Sequence, residues 1–454
     1  MKLNKFEATN VHGFLKFDIN FYSELTFLIG INGSGKTSAL KIILGLLSPS
    51  FNYLNQIEFE TASLQCYSEK KKENFIISTK RSKTQITITI SDKKKEIASD
   101  TFDLFPIRFY DDDYNTGMVH EKLSRLREEF DELETVQEIR NLTTPIFLGL
   151  DRRIYEGKII DRARGLQAQR RRRGMHRSAT LDAINSSLED VIELVHSFHR
   201  LIGAKQPRII EEFKNHIFKN SFDFVDEALI DQISDNVEDV RQRKEGLIKA
   251  MEGLKVGDLK NDIEQFFSKM ENTLKVLNKH SPKKDEQPNE EYIEALRSWF
   301  INSPQIKRID EIIKFSEIYQ EQVSQLREPV RRLETIISDF FKESGKELHV
   351  EPDGELIINL ANGKKANVFQ LSSGEKQIII MIAHLIFYED RQQPGVFIID
   401  EPELSLHLGW QEIFVESIQK ASPKTQFILA THSPAIISTV KHEQFCQDLT
   451  TNID

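Results

Sequence analysis

A run of eight residues near the N-terminus has the composition of a phosphate-binding loop. It fits the P-loop pattern G-x-x-x-x-G-K-[ST] and reads Gly30-Ile31-Asn32-Gly33-Ser34-Gly35-Lys36-Thr37. The glycines allow backbone N–H groups to turn inward around phosphate oxygens, the lysine adds a positive charge on the β and γ oxygens, and the threonine hydroxyl suits Mg²⁺. We therefore expect a nucleoside triphosphate and Mg²⁺ here. The expected contacts are Asn32, Gly33, Ser34, Gly35, Lys36, Thr37 and Ser38.

Two acidic residues follow an apolar run in the C-terminal part of the chain. Residues 396–399 precede Asp400 and Glu401, which is the Walker B form of a strand that ends in two acids. Asp400 is expected to hold Mg²⁺ together with Thr37, and Glu401 to orient and polarise an attacking water. An Asp-Glu pair after a strand is also common in surface turns, but the phosphate-binding loop elsewhere in the chain favours the catalytic interpretation.

A third segment, residues 371–377 (Leu-Ser-Ser-Gly-Glu-Lys-Gln), precedes an apolar stretch with helical character. Serine and glycine at a helix start are ordinary caps, and this is one interpretation. The other is an anion site, in which the free N–H groups of the helix start and the Ser373 hydroxyl face a γ-phosphate. On the second interpretation Ser373, Gly374 and Glu375 belong to the nucleotide site.

Residues 371–377 resemble the signature motif of ABC-type ATPases, in the form used by the SMC and RecF-like group. Residues 403–407 resemble the D-loop of that family, and residues 431–434 (Thr-His-Ser-Pro) resemble its switch-histidine loop. The resemblance implies that His432, with Glu401, acts at the γ-phosphate of ATP, whereas a histidine before Ser-Pro is otherwise typical of a helix start. It also implies a homodimer in which the signature of one chain closes over the ATP of the other.

One position of the family pattern has no clean counterpart. The family places a glutamine at the end of the strand before the helical insertion, where this sequence has residues 149–152 (Gly-Leu-Asp-Arg). Gln137 lies earlier, on an amphipathic stretch, so Asp151 or Arg152 is expected to take a related role. His12 stands where the family often has a base- or phosphate-contacting residue, and a plain surface histidine is the alternative.

The apolar pattern predicts the elements that position these segments. Strands before the phosphate-binding loop and one helix after it are predicted at Lys2–Val11, Leu15–Asn20, Leu25–Ile29 and Lys36–Leu47. Residues 57–110 alternate as in a β-meander, and strands alternate with helices after residue 374. This predicts an α/β fold with a mainly parallel sheet. With the resemblance, the expected fold is an ABC/SMC-like ATPase head with an antiparallel β subdomain, split by a helical insertion.

The middle of the chain is polar and helical. Apolar residues recur in steps of three and four over 184–202 and 323–340, as in a coiled coil or helix bundle. Because Pro329 lies within the second stretch, a short hairpin or bundle is expected rather than a long rod. The predicted domains are an N-terminal half of the head, the insertion, and a C-terminal half of the head, at 1–152, 153–344 and 345–454.

A basic tract opens this insertion, although the whole chain has a net charge of -10. Residues 152–182 contain ten Lys and Arg against three Asp and Glu, including the consecutive Arg170, Arg171, Arg172 and Arg173. A solvated charge run is one interpretation. The other is contact with nucleic acid or an acidic partner, because adjacent arginines repel one another and suit phosphate groups. Without interleaved aromatic residues, such contact would be to the nucleic-acid backbone.

The overall composition narrows the class of protein. The 454 residues suffice for two or three domains with a large core. Two cysteines exclude a disulfide scaffold, and no Cys/His spacing suggests zinc, so a reducing cytoplasm is expected. The longest strongly apolar run, residues 378–388, is far shorter than the ~20 residues of a membrane span, and no signal core is present. No membrane contact is expected.

Members of the RecF/OLD-like ATPase group differ in the domain that is attached to the ATPase head. OLD-type nucleases continue after the switch histidine into a Toprim domain, for which the short segment after His432 leaves no room, so we expect no nuclease site in this chain. The compact head, helical insertion and Arg-rich tract resemble the PtuA family of Septu anti-phage systems. That resemblance implies a partner nuclease of the HNH type (PtuB-like) and higher-order assembly. PARIS-type ATPases, with a Toprim-type partner, are a close competitor.

The predicted function is a slow ATPase that dimerises around ATP and serves as sensor and regulatory scaffold for a partner nuclease in bacterial anti-phage defence. The alternative is a RecF/SMC-like DNA clamp in repair or recombination, which would bind duplex DNA in a salt-dependent way. A third possibility is an assembly held together by ATP with negligible hydrolysis.

Overall fold

The computed structural model describes residues 1–69, 71–92, 95–105, 116–142, 146–148, 154–156, 179–222, 237–254, 259–282, 287–391, 395–437 and 443–450. The strands there are β1 (Lys2–Val11), β2 (Leu15–Asn20), β3 (Leu25–Ile29), β4 (Thr61–Ser68), β5 (Glu73–Arg81), β6 (Gln85–Asp92), β7 (Glu96–Asp103), β8 (Ile146–Leu148), β9 (Ile154–Glu156), β10 (Lys346–Val350), β11 (Leu356–Leu360), β12 (Lys365–Asn367), β13 (Val396–Asp400), β14 (Gln426–Ala430) and β15 (Cys446–Asp448). The helices there are α1 (Lys36–Leu47), α2 (Phe51–Gln56), α3 (Thr116–Glu132), α4 (Glu134–Leu142), α5 (Ala179–Ser221), α6 (Val237–Gly253), α7 (Lys260–Lys279), α8 (Glu290–Phe341), α9 (Ser373–Arg391), α10 (Leu408–Ala421) and α11 (Pro434–Ile437).

A mainly parallel sheet carries the motif-bearing loops. Its strand order is β15-β3-β14-β13-β8-β9, and every neighbouring pair is parallel except β8 and β9. All residues of β13 and β14 are buried, as expected for apolar runs covered on both faces of a sheet. The carboxyl ends of β3, β13 and β14 lie at one edge, where open α/β sheets bind ligands. The predicted parallel α/β core is confirmed.

A second, antiparallel sheet has the order β2-β1-β4-β5-β6-β7. In β6 the alternation is strict, and Ile86, Ile88 and Ile90 are buried. The alternation between residues 57 and 110 predicts three strands, at 63–67, 75–79 and 85–90, and the structure has a fourth, β7. Only Ala98 and Phe102 of β7 are buried, because it is an edge strand, so its apolar alternation is too weak to be seen in the sequence.

The sequence pattern also predicts a hairpin with strands at 347–350 and 355–360, and a small third sheet, β10-β11-β12, contains it. Its turn is closed by a hydrogen bond from Gly354 N to Glu351 O of 2.8 Å, and the left-handed φ of Gly354 is 91°. β12 was not expected from the sequence, because it is only three residues long and shows no alternation of apolar and polar side chains.

The chain divides into two compact units, one of Met1–His196 with Val330–Asp454 and one of Ser197–Pro329. The core of the second is formed by side chains of α6, α7 and α8. Its buried members are Val240, Leu247, Ile263, Phe267, Met270, Leu274, Trp299 and Ile306. Across the described ranges, every helix is too short or too polar to span a bilayer.

The expectation that Pro329 interrupts the helical pattern is wrong. α8 runs for 52 residues through both Pro304 and Pro329, and α5 runs for 43 residues through Pro207. A proline inside a helix costs about 3 kcal/mol through its missing N–H and its ring. At Pro329 the cost is offset by packing, because the ring itself is buried and the following turns bury Leu333 and Ile337.

The two larger sheets are joined by one buried amide, which gives a prediction about stability. Gln426 of β14 accepts a hydrogen bond from Leu3 N (2.6 Å) and donates to Leu3 O (2.9 Å) and Tyr22 O (2.7 Å). Gln426→Leu leaves these three backbone groups without a hydrogen-bond partner. The free energy of unfolding should therefore fall by about 2–4 kcal/mol in urea titrations. The same change at the exposed Gln322 should alter stability by less than about 0.5 kcal/mol; equal effects would contradict the role of the amide.

Candidate active site

The phosphate-binding loop connects β3 to α1 in the predicted way. Gly33 and Gly35 have φ values of 90° and 85°, a backbone region that favours glycine. At Gly35 the space is also closed, because an added Cβ would lie 2.7 Å from Cζ of Phe17. α1 begins at Lys36, and nine of its twelve residues are buried, so the helix start is firmly anchored. The loop therefore presents backbone N–H groups from a rigid support.

Two polar side chains of this loop, Ser34 and Lys36, are turned inward. Lys36 is 5% exposed, and its ammonium donates to the carbonyl oxygens of Gly30 (2.9 Å) and Ile31 (3.2 Å). Burial lowers the pKa of Lys36, while Glu401, Asp400 and Glu403 oppose the shift. The Ser34 hydroxyl is buried and has no hydrogen-bond partner among the described residues. The Lys36 ammonium, which is bonded only to carbonyls of its own loop in these contacts, and the Ser34 hydroxyl, an unused donor, are both suited to bind an anion.

Thr37 and Asp400 meet across the neighbouring elements. The Thr37 hydroxyl donates to Oδ1 of Asp400 over 3.4 Å. Burial raises the pKa of Asp400 to about 6, with a further contribution from Glu401, while the Thr37 hydrogen bond, Lys41 and Lys36 oppose it. A hydroxyl beside a poorly compensated buried carboxylate suits Mg²⁺, which usually takes one or two carboxylates and completes its shell with phosphate and water. The described part of the chain has no group of three or more acidic, His or Cys residues that alone would hold a metal.

The raised pKa of Asp400 predicts that the carboxylate destabilises the protein when no cation is bound. The native pKa of about 6 exceeds the ordinary value of 3.8, so the native state binds more protons between these pH values, and stability falls as the pH rises through them. Without Mg²⁺ or nucleotide, Asp400→Asn should therefore raise the free energy of unfolding by on the order of 2 kcal/mol at pH 8. In urea titrations the gain should fade toward pH 4. The exposed Asp103→Asn should show neither effect, and a loss of stability for Asp400→Asn at pH 8 would contradict the prediction.

Glu401 occupies a constrained backbone position directly after Asp400. Its φ of 50° lies in the left-handed region, which costs a non-glycine residue about 1 kcal/mol. Its N–H donates to Ala430 O over 2.8 Å, which ties the end of β13 to the end of β14, and a 3₁₀ helix (Pro402–Ser405) follows. Strained residues of this kind occur often at functional sites. The assignment of Glu401 as the base stays a prediction.

The predicted switch-histidine loop, residues 431–434, is fixed by a residue that the sequence interpretation did not single out. Both oxygens of Glu403 accept hydrogen bonds from this loop, one from the Thr431 hydroxyl (2.8 Å) and one from His432 N (2.7 Å). The sequence resemblance places residues 403–407 in a D-loop but contains no signal for this pairing, because the partners are 28 and 29 residues apart.

The signature-like segment starts α9 at Ser373. Ser372 donates to Oε2 of Glu375 through its N–H (2.9 Å) and its hydroxyl (2.8 Å), and Lys346 donates to Oε1 (2.6 Å). Burial alone raises the pKa of Glu375, but these hydrogen bonds outweigh it and the pKa is lowered. Both oxygens of Glu375 therefore have partners within the chain. In the described part of this single chain, Ser373 and Gly374 form no hydrogen bond with the phosphate-binding loop.

The remaining predicted residues divide into two groups. His12 is exposed, and its Nε2 lies 2.9 Å from the hydroxyl of Ser38 in α1; its contact with a base or phosphate stays a prediction. The arginine tract Arg170–Arg173 and the candidates Asp151 and Arg152 lie outside the described residues.

The fold and the loop arrangement define a nucleotide-binding protein of the P-loop ATPase class, and the sequence comparisons agree. The chain belongs to the AAA ATPase domain family, whose sequence model matches residues 1–437. The predicted family resemblance is confirmed.

Individual relatives match over shorter regions. The retron Vc95 probable ATPase of Vibrio cholerae serotype O1 biovar El Tor is 27% identical over 217 residues, covering 44% of this chain and 40% of the relative. The Septu protein PtuA of Bacillus thuringiensis is 35% identical over 94 residues, covering 18% of this chain and 24% of PtuA. The matches thus span less than half of each curated relative. Among solved structures, the Smc head domain of Pyrococcus furiosus bound to the C-terminal domain of ScpA aligns over 96% of this chain and 91% of that one, at 12% identity and a TM-score of 0.39.

Proposed function

We propose that this protein binds ATP with Mg²⁺, dimerises around it, and hydrolyses it slowly to control a partner nuclease in anti-phage defence. The observation that carries the nucleotide site is the meeting of Thr37 and Asp400 beside a glycine loop with two inward polar groups, Ser34 and Lys36. Family membership supports ATP as the nucleotide. The residues assigned to contact it are Asn32, Gly33, Ser34, Gly35, Lys36, Thr37, Ser38, Ser373, Gly374 and Glu375.

The proposed chemistry follows from these positions. Thr37 and Asp400 would hold Mg²⁺, which when bound neutralises charge on the β and γ phosphates. Lys36 would leave the carbonyls of Gly30 and Ile31 for the phosphate oxygens, and the loop N–H groups would orient the triphosphate. Glu401 would accept a proton from the attacking water, and His432 would contact the γ-phosphate.

The dimer is supported by apolar residues on the surface around this site. Ile31 in the phosphate-binding loop is 60% exposed, Leu404 in the turn after Glu401 is 58% exposed, and Leu408 is 62% exposed. Large exposed apolar side chains in the segments that bear a site suit an association surface. A second copy would cover them and bring Ser373 and Gly374 to the γ-phosphate of its partner.

The link to defence is supported by the relatives. A retron ATPase and a Septu PtuA are both similar to parts of this chain. We propose an HNH-type, PtuB-like nuclease as partner, with assembly beyond the dimer. In the alternative DNA-clamp function the arginine tract would bind duplex DNA directly.

The test uses the purified protein. We expect phosphate release from ATP that requires Mg²⁺, and a doubling of the mass in solution with ATP but not with ADP. Absence of ATP binding would overturn the proposal. ATP binding without hydrolysis would favour the third function given above, in which ATP only holds an assembly together. Tight, salt-dependent duplex binding that is lost when Arg170 to Arg173 are neutralised would favour the clamp.

A further inference from the structure

The two loops that bear the proposed base and the proposed γ-phosphate contact are joined by one carboxylate. Glu403 lies in the 3₁₀ helix (Pro402–Ser405) that directly follows Glu401. Its Oε2 accepts from the Thr431 hydroxyl over 2.8 Å, and its Oε1 accepts from the backbone N–H of His432 over 2.7 Å. Hydrogen bonds to an ionised carboxylate are stronger than neutral ones, so this is a firm connection.

Further hydrogen bonds close the connection on both sides. Ser433 N donates to the Thr431 hydroxyl (3.0 Å), and the Ser433 hydroxyl donates to Oε1 of Gln411 (2.5 Å). Gln411 in turn donates to Leu406 O (3.0 Å), at the end of the turn that contains Glu403. Each residue of 431–433 is thus bonded, directly or through Gln411, to the segment that follows the base.

The side chain of His432 depends on this arrangement. The residue is exposed, and its imidazole has no hydrogen-bond partner among the described residues. The position from which the side chain extends is therefore set by the backbone at residue 432, and that backbone is held by Glu403. A carboxylate placed here fixes the anchor point of the imidazole before nucleotide arrives.

We propose that Glu403 is a positioning residue that fixes His432 relative to Glu401, so that the γ-phosphate contact and the base move as one body. This rests on the proposed ATPase function. Glu403 would not touch the substrate. It would act through the backbone of His432, and its loss would affect the step in which the γ-phosphate is transferred more than the binding of a nucleotide that lacks this phosphate.

The test compares Glu403→Ala and Glu403→Gln with Glu347→Ala, an exposed glutamate of β10. For Glu403→Ala we expect kcat to fall about 10- to 100-fold, because small misplacements of catalytic groups have effects of that size. The affinity for ADP should stay within about twofold, since ADP has no γ-phosphate. Glu403→Gln should recover most of the loss, because its amide oxygen still accepts from His432 N. Glu347→Ala should match the wild type.

Hydrogen exchange provides a readout that does not need turnover. In the nucleotide-free protein, Glu403→Ala should speed exchange of the backbone amides in 431–433 at least about tenfold, as measured by mass spectrometry. Unchanged exchange would overturn the connection itself. Faster exchange with unchanged kcat, or an equal loss of kcat and ADP affinity, would overturn the positioning role. If the wild type hydrolyses no ATP, the proposed function fails, while the exchange result still decides whether Glu403 holds His432.

Discussion

Replacing Glu401 with glutamine is expected to reduce ATP turnover about 10³-fold while ATP binding is retained. General-base catalysis by a positioned carboxylate contributes about 10²- to 10⁴-fold, and the amide cannot accept the proton of the attacking water. The change keeps the shape of the side chain, and the strained backbone of Glu401 is held by its bond to Ala430 O rather than by the carboxylate. The phosphate-binding loop should therefore remain intact.

The same variant should accumulate in the ATP-bound dimer, because hydrolysis is the step expected to open it. Phosphate release under single-turnover conditions measures the chemical step, and mass in solution with ATP measures the dimer. Glu347→Gln is a matched control on an exposed strand position. Native turnover in Glu401→Gln would show that another group activates the water, and loss of ATP affinity would show that the carboxylate acts in binding.

The local part of the site is predictable from sequence, because its geometry is encoded in adjacent residues. The strand β3, the glycine loop and α1 together occupy residues 25–47, and the two glycines that the pattern requires, Gly30 and Gly35, both have positive φ. The pairing of Thr37 with Asp400 was also expected, although 363 residues separate them, because the two motifs have a fixed spatial relation in parallel α/β sheets.

Other contacts depend on tertiary packing and have no local pattern. In the sequence, Glu403 is indistinguishable from a surface acid, and only the fold places it next to His432. Gln426 is likewise one polar residue in an apolar strand, and only the fold places it next to β1. Pro329 shows the opposite effect, in which a strong local signal is overridden because the ring and its neighbours are buried. Residues of this kind respond to the three-dimensional environment and not to their neighbours in the chain.

Replacing Lys36 with alanine is expected to weaken ATP binding at least about 100-fold, which corresponds to ~2.7 kcal/mol. The ammonium is the positive charge at the centre of the loop, and its Coulomb partners are three carboxylates, Asp400, Glu401 and Glu403. Without it, a triphosphate would meet these negative charges with only backbone N–H groups to offset them. Titration of a fluorescent ATP analogue at fixed Mg²⁺ and salt measures the change.

The comparison with ADP separates this residue from Glu403. Lys36 is assigned to the β as well as the γ oxygens, so Lys36→Ala should weaken ADP binding too, whereas Glu403→Ala should leave ADP binding unchanged. Lys83→Ala, in the exposed turn between β5 and β6, removes one positive charge elsewhere and should leave both affinities within about twofold. ATP affinity within about threefold of the wild type in Lys36→Ala would contradict the phosphate-binding assignment. The loop would then have to be regarded as a structural turn, since Lys36 would only be donating to the carbonyls of Gly30 and Ile31.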